Sequence, residues 1–206
     1  MNTLEKLIAM FETFPGVGAR QARRFAFHVL TLPEADSAEL AKLIADLPGS
    51  VHECESCHRF FSSLSQSDTH LCRICGDESR DRARLLVVER DSDIQAIERA
   101  GSYDGLYFVL GGTVPLLTSP PAQRLRGGRL RDTVATRLEH GLTEVILGFS
   151  VNPDGENTAR FVHSLLDPII TGTTCRISHL GRGLSTGSEL EYADAETLKH
   201  ALQHRV

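Results

Sequence analysis

The sequence lacks the features of a membrane protein, of a secreted protein and of a nucleic-acid-binding protein whose whole surface is basic. No apolar run approaches the ~20 residues of a membrane-spanning helix. The N-terminal stretch MNTLEKLIAMFE is amphipathic and contains acids, unlike a secretory signal. The net charge of −5 disfavours an overall basic surface but allows a local basic patch. We therefore expect a cytoplasmic globular protein.

Cysteine is scarce, and four of the 5 cysteines form two Cys-x-x-Cys pairs. Cys54 and Cys57 form the first pair and Cys72 and Cys75 the second, with a mostly polar loop between them. Each pair can present two sulfurs to one ion, so together they can complete a tetrahedral Zn²⁺ site. Two disulfides or four ordinary buried thiols are the alternatives, and disulfides would need an oxidising compartment. Four protein ligands leave no open position, so we predict a structural zinc.

The N-terminal segment has the pattern of two helices joined by a glycine-rich turn. Apolar residues at helical spacing indicate an amphipathic first helix. Pro15 ends that helix, and Gly16 and Gly18 let the backbone turn before a second helix starts near Ala19. A third helix is predicted over 38–47, ended by Pro48 and Gly49.

This pattern resembles the helix-hairpin-helix DNA-binding element. Small residues at Gly16 and Gly18 let backbone N–H groups approach a phosphate, and the positive end of the second helix adds attraction. Arg20, Arg23 and Arg24 could neutralise neighbouring phosphates without reading bases. The alternative is an ordinary helical hairpin with a solvated arginine face.

The central part of the chain alternates strand and helix patterns, after a charged stretch at 76–84 that we interpret as a linker. Strands are predicted at 85–88, 106–110, 144–149 and 174–180. Helices are predicted at 92–100, 133–140 and about 156–166. Alternating strands and helices imply a parallel, doubly wound sheet, and hence a multidomain α/β protein.

A glutamate after the first of these strands and an acidic loop after the third suggest the Toprim fold of primases, type IA topoisomerases and related nucleases. In catalytic members that glutamate is a general acid or base, and an Asp-x-Asp pair holds Mg²⁺. Glu89 matches the glutamate, but Ser150 and Asn152 stand where the metal-binding aspartates should be. Asp154 and Glu156 could hold a weak ion or simply favour a helix N-terminus. A Mg²⁺-dependent nuclease or primase therefore remains the alternative function.

The segment 115–131 is rich in proline, glycine and arginine, which predicts a surface loop. Its arginines form a local positive patch with no intervening acid: Arg124, Arg126, Arg129 and Arg131. Phosphate contact, through Arg124, Arg126 and Arg129 above all, and a merely solvated loop are the two interpretations.

The joint order of these motifs resembles the RecR family of bacterial recombination mediators over nearly the whole chain. The resemblance is carried by the hairpin turn, the four cysteines, the strand segments and a C-terminal motif: 15–18, 54–75, 86–89, 105–107, 109–112, 144–147 and GSELEYAD at 187–194. It implies four parts: a helix-hairpin-helix domain at 1–52, a zinc finger at 53–78, a Toprim domain at 79–176 and a C-terminal segment at 177–206.

The resemblance also implies a function. Members are non-enzymatic and assemble through the hairpins and C-terminal segments into a ring-like tetramer that can encircle DNA. With the partners RecO and RecF they load RecA onto single-stranded gaps coated with single-strand-binding protein, which implies a nucleoid-associated location. The family's DNA-contacting positions fall on Arg20 and Arg24, and its partner-contacting acids on Glu89, Asp154 and Glu156. The chain departs from the family in the third-strand loop and in its more basic stretch at 124–131.

Overall fold

The computed structural model describes residues 1–62, 70–116 and 125–181, together with 187, 189, 191, 193 and 195–203. Its backbone divides into two compact units, Met1–His52 and Glu53–Val206. None of the helices in these described ranges is both long and apolar enough to cross a membrane.

The first unit consists of three helices: α1 (Thr3–Glu12), α2 (Ala19–Thr31) and α3 (Glu34–Ser50). Reciprocal hydrogen bonds between Asn2 and Glu5 cap the start of α1. The start of α2 is confirmed, whereas the prediction that α3 ends at Pro48 was wrong. A proline in the last turn removes only one backbone hydrogen bond. The backbone N–H of Val51 donates to Leu47 O (3.1 Å), and that bond helps to hold the last turn closed.

The second unit contains a small sheet and a large one. Strands β1 (His52–Glu53) and β2 (Phe60–Phe61) form the small sheet. The large sheet has the order β4-β3-β5-β6, built from β3 (Asp81–Val88), β4 (Gly105–Val109), β5 (Glu144–Gly148) and β6 (Arg176–His179). All its pairings are parallel, which confirms the predicted sheet.

Helices cover both faces of the large sheet. They are α4 (Asp91–Ala100), α5 (Gly127–Leu138) and α6 (Pro153–Ile170), and a further helix α7 (Ala195–Gln203) follows near the C-terminus. Side chains alternate along each strand, so Leu85 and Val87 pack with α5 and α6, whereas Leu86 and Val88 pack with α4 and the four cysteines. We call the described residues within 53–76 the cysteine element. Its four cysteines are therefore part of the core on one face of the sheet.

Two predicted segment boundaries were wrong because tertiary packing extended the elements. Strand β3 begins at Asp81, inside the predicted linker, since the carbonyl of Ala83 accepts from Thr143 N (2.8 Å). Helix α5 begins at Gly127, inside the predicted loop. A Cβ on Gly127 would lie 2.9 Å from the Phe161 ring, so only glycine lets the helices approach this closely. Arg129 and Arg131 are therefore helical residues.

Candidate functional site

The hairpin turn leaves the start of α2 open. Gly16 has a φ of +77°, which L side chains rarely adopt, and the turn closes with Val17 N donating to Phe14 O (3.0 Å). Gly18 is the N-cap of α2 and offers no side chain to cap it. Gln21 N and Ala22 N donate to Gly18 O (2.9 and 3.0 Å), whereas the N–H groups of Ala19 and Arg20 precede the first helical hydrogen bond, so this end can accept an anion.

Three arginines follow this open helix end. Arg20, Arg23 and Arg24 are exposed, while Ala22 and Ala26 on the opposite side of α2 are fully buried. Within the described residues, the only side-chain hydrogen bond of these arginines runs from Arg24 Nη1 to Gln21 Oε1 (3.3 Å). The surface combines free guanidinium groups with a positive helix terminus, which is the chemistry that phosphate groups require.

The four predicted metal ligands come together. Their Sγ atoms all lie within 4.8 Å of one another, and each cysteine is at most 4% exposed. The backbone N–H of Cys72 donates to Cys54 Sγ (3.3 Å), and hydrogen bonds from the other three thiols lower the pKa of Cys54. Four thiolates this close would repel one another unless a cation compensated them, so the donor set fits a tetrahedral metal ion. Cys175, by contrast, lies in the sheet core, where burial raises the pKa of its thiol.

The cysteine element is fixed to the sheet by backbone and side-chain bonds. Val109 N donates to Cys57 O (2.8 Å), and Arg137 Nη2 donates to Ser56 Oγ (2.9 Å). Burial of its guanidinium lowers the pKa of Arg137. These bonds place the predicted metal centre directly against strand β4 and helix α5.

Glu53 forms ion pairs with two of the arginines that we predicted as phosphate contacts. Its Oε1 atom lies 2.8 Å from Arg129 Nη1 and 3.3 Å from Arg126 Nε. It also lies 2.9 Å from Nδ1 of His58, whose pKa is lowered by burial. Arg126 is 17% exposed and Arg129 is 60% exposed. Arg126 is thus engaged inside the protein, whereas Arg129 still faces solvent. Arg124 lies outside the described residues.

Sequence reasoning missed Glu53. No local pattern marks it, because its arginine partners are brought to it by the fold from more than 70 positions away (76 for Arg129).

Glu89 lies at the carboxyl end of β3, where the Toprim resemblance places it. It is 6% exposed, and its Oε1 atom accepts a hydrogen bond from Ser150 N (2.7 Å). Asn152 is the N-cap of α6, since its side chain accepts from Gly155 N (2.8 Å). These are the two positions that would carry metal-binding aspartates in a catalytic Toprim domain. Here Ser150 donates a backbone hydrogen bond to Glu89, and the side chain of Asn152 caps α6. Asn-Pro at the start of a helix is a recognisable capping signal that sequence reasoning also missed.

Asp154 and Glu156 lie in the first turn of α6, which agrees with the helix N-terminus interpretation of these acids. The helix begins at Pro153, three residues before the predicted start. Asp154 Oδ1 accepts from Leu116 N (2.9 Å), and Thr158 Oγ1 accepts from Val114 N (2.8 Å), so α6 holds the segment after β4. Glu156 is half-buried. In the part of the chain that the structure describes, the four cysteines are the only group of three or more potential ligands close enough to hold one ion.

Comparisons with known proteins agree with this arrangement. A RecR helix-hairpin-helix model matches residues 4–47, a Toprim domain model matches 83–178, and a RecR C-terminal model matches 183–206. A protein named recombination protein RecR from Porphyromonas gingivalis is 37% identical over 202 residues, covering 98% of this chain and 91% of that relative. One of the same name from Magnetococcus marinus is 37% identical over 208 residues (100% and 96%). Another from Lactobacillus helveticus is 33% identical over 201 residues (97% and 94%).

Proposed function

The chain belongs to the RecR family of recombination proteins, and we propose that it is a non-enzymatic scaffold that grips the phosphate backbone of DNA during recombinational repair. The observation that carries the proposal is the open N-terminus of α2 with three exposed arginines beside it. Gly16 and Gly18 allow the close approach, and Arg20, Arg23 and Arg24 supply the charge. Arg129 could add a further phosphate contact, whereas Arg126 is assigned to Glu53.

A zinc ion held by Cys54, Cys57, Cys72 and Cys75 belongs to this proposal. With four thiolates it would have no open position, so its role would be to hold the element together and not to activate water. The ordered cysteine element would then stay docked on β4 and α5 through the hydrogen bonds of Cys57 and Ser56. A structural ion of this kind fits a scaffold.

The proposal extends to self-association, for which the first unit gives a physical reason. The apolar stripe of α3 is solvent-exposed, with four residues between 39% and 59% exposed: Leu40, Leu43, Ile44 and Leu47. Exposed apolar patches of this extent mark interaction surfaces. A ring-like tetramer that encloses DNA would cover them, and it would be lost in Leu43→Glu plus Leu47→Glu. Sedimentation velocity tests this, and a wild-type monomer at all accessible concentrations would contradict it.

The acids of the Toprim domain form the proposed contact with RecO and RecF. Asp154 and Glu156 stand at the start of α6, and Glu89 shapes the adjoining loop through Ser150. RecA loading onto single-stranded gaps coated with single-strand-binding protein is the expected outcome. It can be measured as RecA ATP hydrolysis with and without the chain, RecO and RecF. Charge reversal at Glu156 should reduce loading while DNA affinity is kept.

The decisive experiment compares two double charge reversals within the first unit. Arg20→Glu plus Arg24→Glu should weaken binding to labelled single-stranded DNA at least about tenfold, because charged hydrogen bonds to phosphate are lost. It should also flatten the slope of log K against log salt by about 1.4, at ~0.7 per phosphate. Lys6→Glu plus Lys42→Glu makes the same charge change at exposed positions on α1 and α3 and serves as the control. Equal losses in both variants, or a single preferred DNA sequence, would overturn the proposal.

A further inference from the structure

A cleft of about 410 Å³ in the second unit is unaccounted for by the proposed function. It is lined by two arginines from outside α4 and by four residues of α4: Arg59 and Arg73, with Ile94, Gln95, Glu98 and Arg99. Arg59 and Arg73 come from the cysteine element and Arg99 from the last turn of α4. The cleft therefore lies where the cysteine element meets the helix on that face of the sheet.

The acid in this cleft is already neutralised. Glu98 Oε1 accepts from Arg80 Nη1 (2.9 Å) and from Tyr107 OH (2.7 Å), and a second Arg80 nitrogen bonds its other oxygen. Arg80 and Glu98 are 15% and 19% exposed, so this pair points inward. Among the described residues of the cleft Glu98 is the only acid, so the three lining arginines carry more positive charge than this one carboxylate, already bonded to Arg80, can balance.

The arginines themselves have little to bond. Nε of Arg59 is buried and has no hydrogen-bond partner in the described structure. Within the same residues no ion pair joins Arg59, Arg73 or Arg99 to an acid, and Arg99 Nε donates only to Gln95 O (3.2 Å). A buried donor without an acceptor is costly, and a bound ligand with acceptor atoms would remove that cost. The missing partner must bring acceptor oxygens and negative charge.

We propose that this cleft is a second phosphate-binding site, in which the guanidinium groups of Arg59, Arg73 and Arg99 receive one phosphate or phosphodiester group. A guanidinium group can donate two parallel hydrogen bonds to two oxygens of one phosphate. Three guanidinium groups offer more hydrogen-bond donors than one carboxylate can accept. None of the described residues that line the cleft is aromatic, so the site would take the phosphate and leave the base outside. The phosphate could come from the DNA backbone, which rests on the proposed function, or from a free phosphate compound, which does not.

The first arm tests DNA. Arg73→Glu plus Arg99→Glu changes two exposed residues, so the fold is kept. If DNA is the source, this variant should bind labelled single-stranded DNA about tenfold more weakly. Its salt slope should flatten by about 0.7, one phosphate contact. Arg160→Glu plus Lys199→Glu, also exposed and outside the cleft, carries the same charge change and should leave both quantities near the wild-type values.

The second arm tests the phosphate group directly on the full-length protein. Inorganic phosphate should shift the Nε–H resonance of Arg59 in ¹⁵N spectra, while chloride at equal ionic strength should not. Arg59→Lys identifies that resonance by its loss. Arg73→Glu plus Arg99→Glu keeps Arg59 but removes the other two guanidinium groups of the cleft, so it should abolish the saturable shift. This arm remains informative even if the protein fails to bind DNA, which separates this proposal from the proposed function.

The outcomes are distinct. Weaker DNA binding in the cleft variant assigns the site to the nucleic-acid backbone. Unchanged DNA binding with a saturable phosphate shift assigns it to a free phosphate compound. The proposal is overturned if phosphate causes no shift and the cleft variant behaves like its control. It is equally overturned if an oligoglutamate peptide produces the shift and phosphate does not, since the site would then recognise acidic protein segments.

Discussion

The carboxylate of Glu89 accepts a hydrogen bond from the backbone N–H of Ser150, at 2.7 Å, across the carboxyl edge of the large sheet. In a catalytic Toprim domain these two positions would face a metal ion. Here the acid is 6% exposed and holds the neighbouring loop in place. The carboxylate of Glu89 therefore makes a structural contact with the loop that follows β5.

Truncating this carboxylate should therefore cost stability and leave DNA chemistry unaffected. Glu89→Ala should lower the free energy of unfolding by about 1.5–3 kcal/mol, because the Ser150 N–H loses a charged acceptor. Glu89→Gln keeps an acceptor oxygen and should cost less. Urea denaturation measures both. Strand cleavage by the wild-type protein with Mg²⁺, abolished in Glu89→Gln, would restore the nuclease alternative.

Glycine at position 155 is required by its contact with the same loop. A Cβ there would lie 1.9 Å from the Ser150 carbonyl oxygen, which belongs to the backbone and cannot rotate away. Gly155→Ala should destabilise the protein by roughly 1–3 kcal/mol. Gly128→Ala is the matched control, because a Cβ on this helical glycine meets nothing within 4 Å and should stabilise by about 0.4–1 kcal/mol. Equal effects of the two changes on thermal unfolding would refute the packing argument.

Metal content distinguishes the four clustered cysteines from the remaining one. Cys57→Ser should lower zinc affinity by more than about 100-fold, since even residues behind the ligands typically matter 10–100-fold. Cys175→Ser should retain one zinc per chain, because Cys175 lies in the sheet core away from the cluster. Native mass spectrometry counts the ions. Wild-type protein without zinc, or full zinc in Cys57→Ser, would remove the metal from the proposal.

Glu53 is expected to anchor the cysteine element to α5. Glu53→Ala leaves the largely buried Arg126 without its carboxylate, and it should cost about 1–2 kcal/mol after allowance for solvent screening. Hydrogen exchange at Val109 N–H, which donates to Cys57 O, reports the docking directly and should accelerate. Glu55→Ala, in the same element but 69% exposed, should change stability by no more than about 0.5 kcal/mol. Slower or unchanged exchange in Glu53→Ala would show that the element is held by other contacts.

Lowering the pH should reduce the contribution of Glu98 to the free energy of unfolding. Burial raises the pKa of this carboxyl, but hydrogen bonds from Arg80 and Tyr107 outweigh burial and leave the pKa below its ordinary value of 4.5. A lowered pKa stabilises the folded state above the unfolded value, and this stabilisation is lost as the pH falls through the folded pKa. The stability difference between wild type and Glu98→Gln should therefore narrow below about pH 4.5. Urea midpoints from pH 3 to 6 test this, and a constant difference would contradict it.

The sequence alone was sufficient to predict the structural features that depend on the spacing of residues close together in the chain. Paired cysteines, a Pro-Gly-x-Gly turn before a basic helix, and apolar runs alternating with helical patterns each depend on neighbours in the chain. The clustering of the four cysteines, the start of α2 and the parallel sheet were predicted for this reason, and they are confirmed in the structure.

Only the tertiary structure decided which charges are available to a ligand. Arg126 and Arg59 look alike in the sequence, yet one bonds Glu53 and the other has a buried nitrogen without a partner. Glu89 and Ser150 are 61 positions apart, and packing alone brings them into contact. Spacing along the chain determines local geometry, whereas the availability of a charge depends on partners that the fold brings from distant positions.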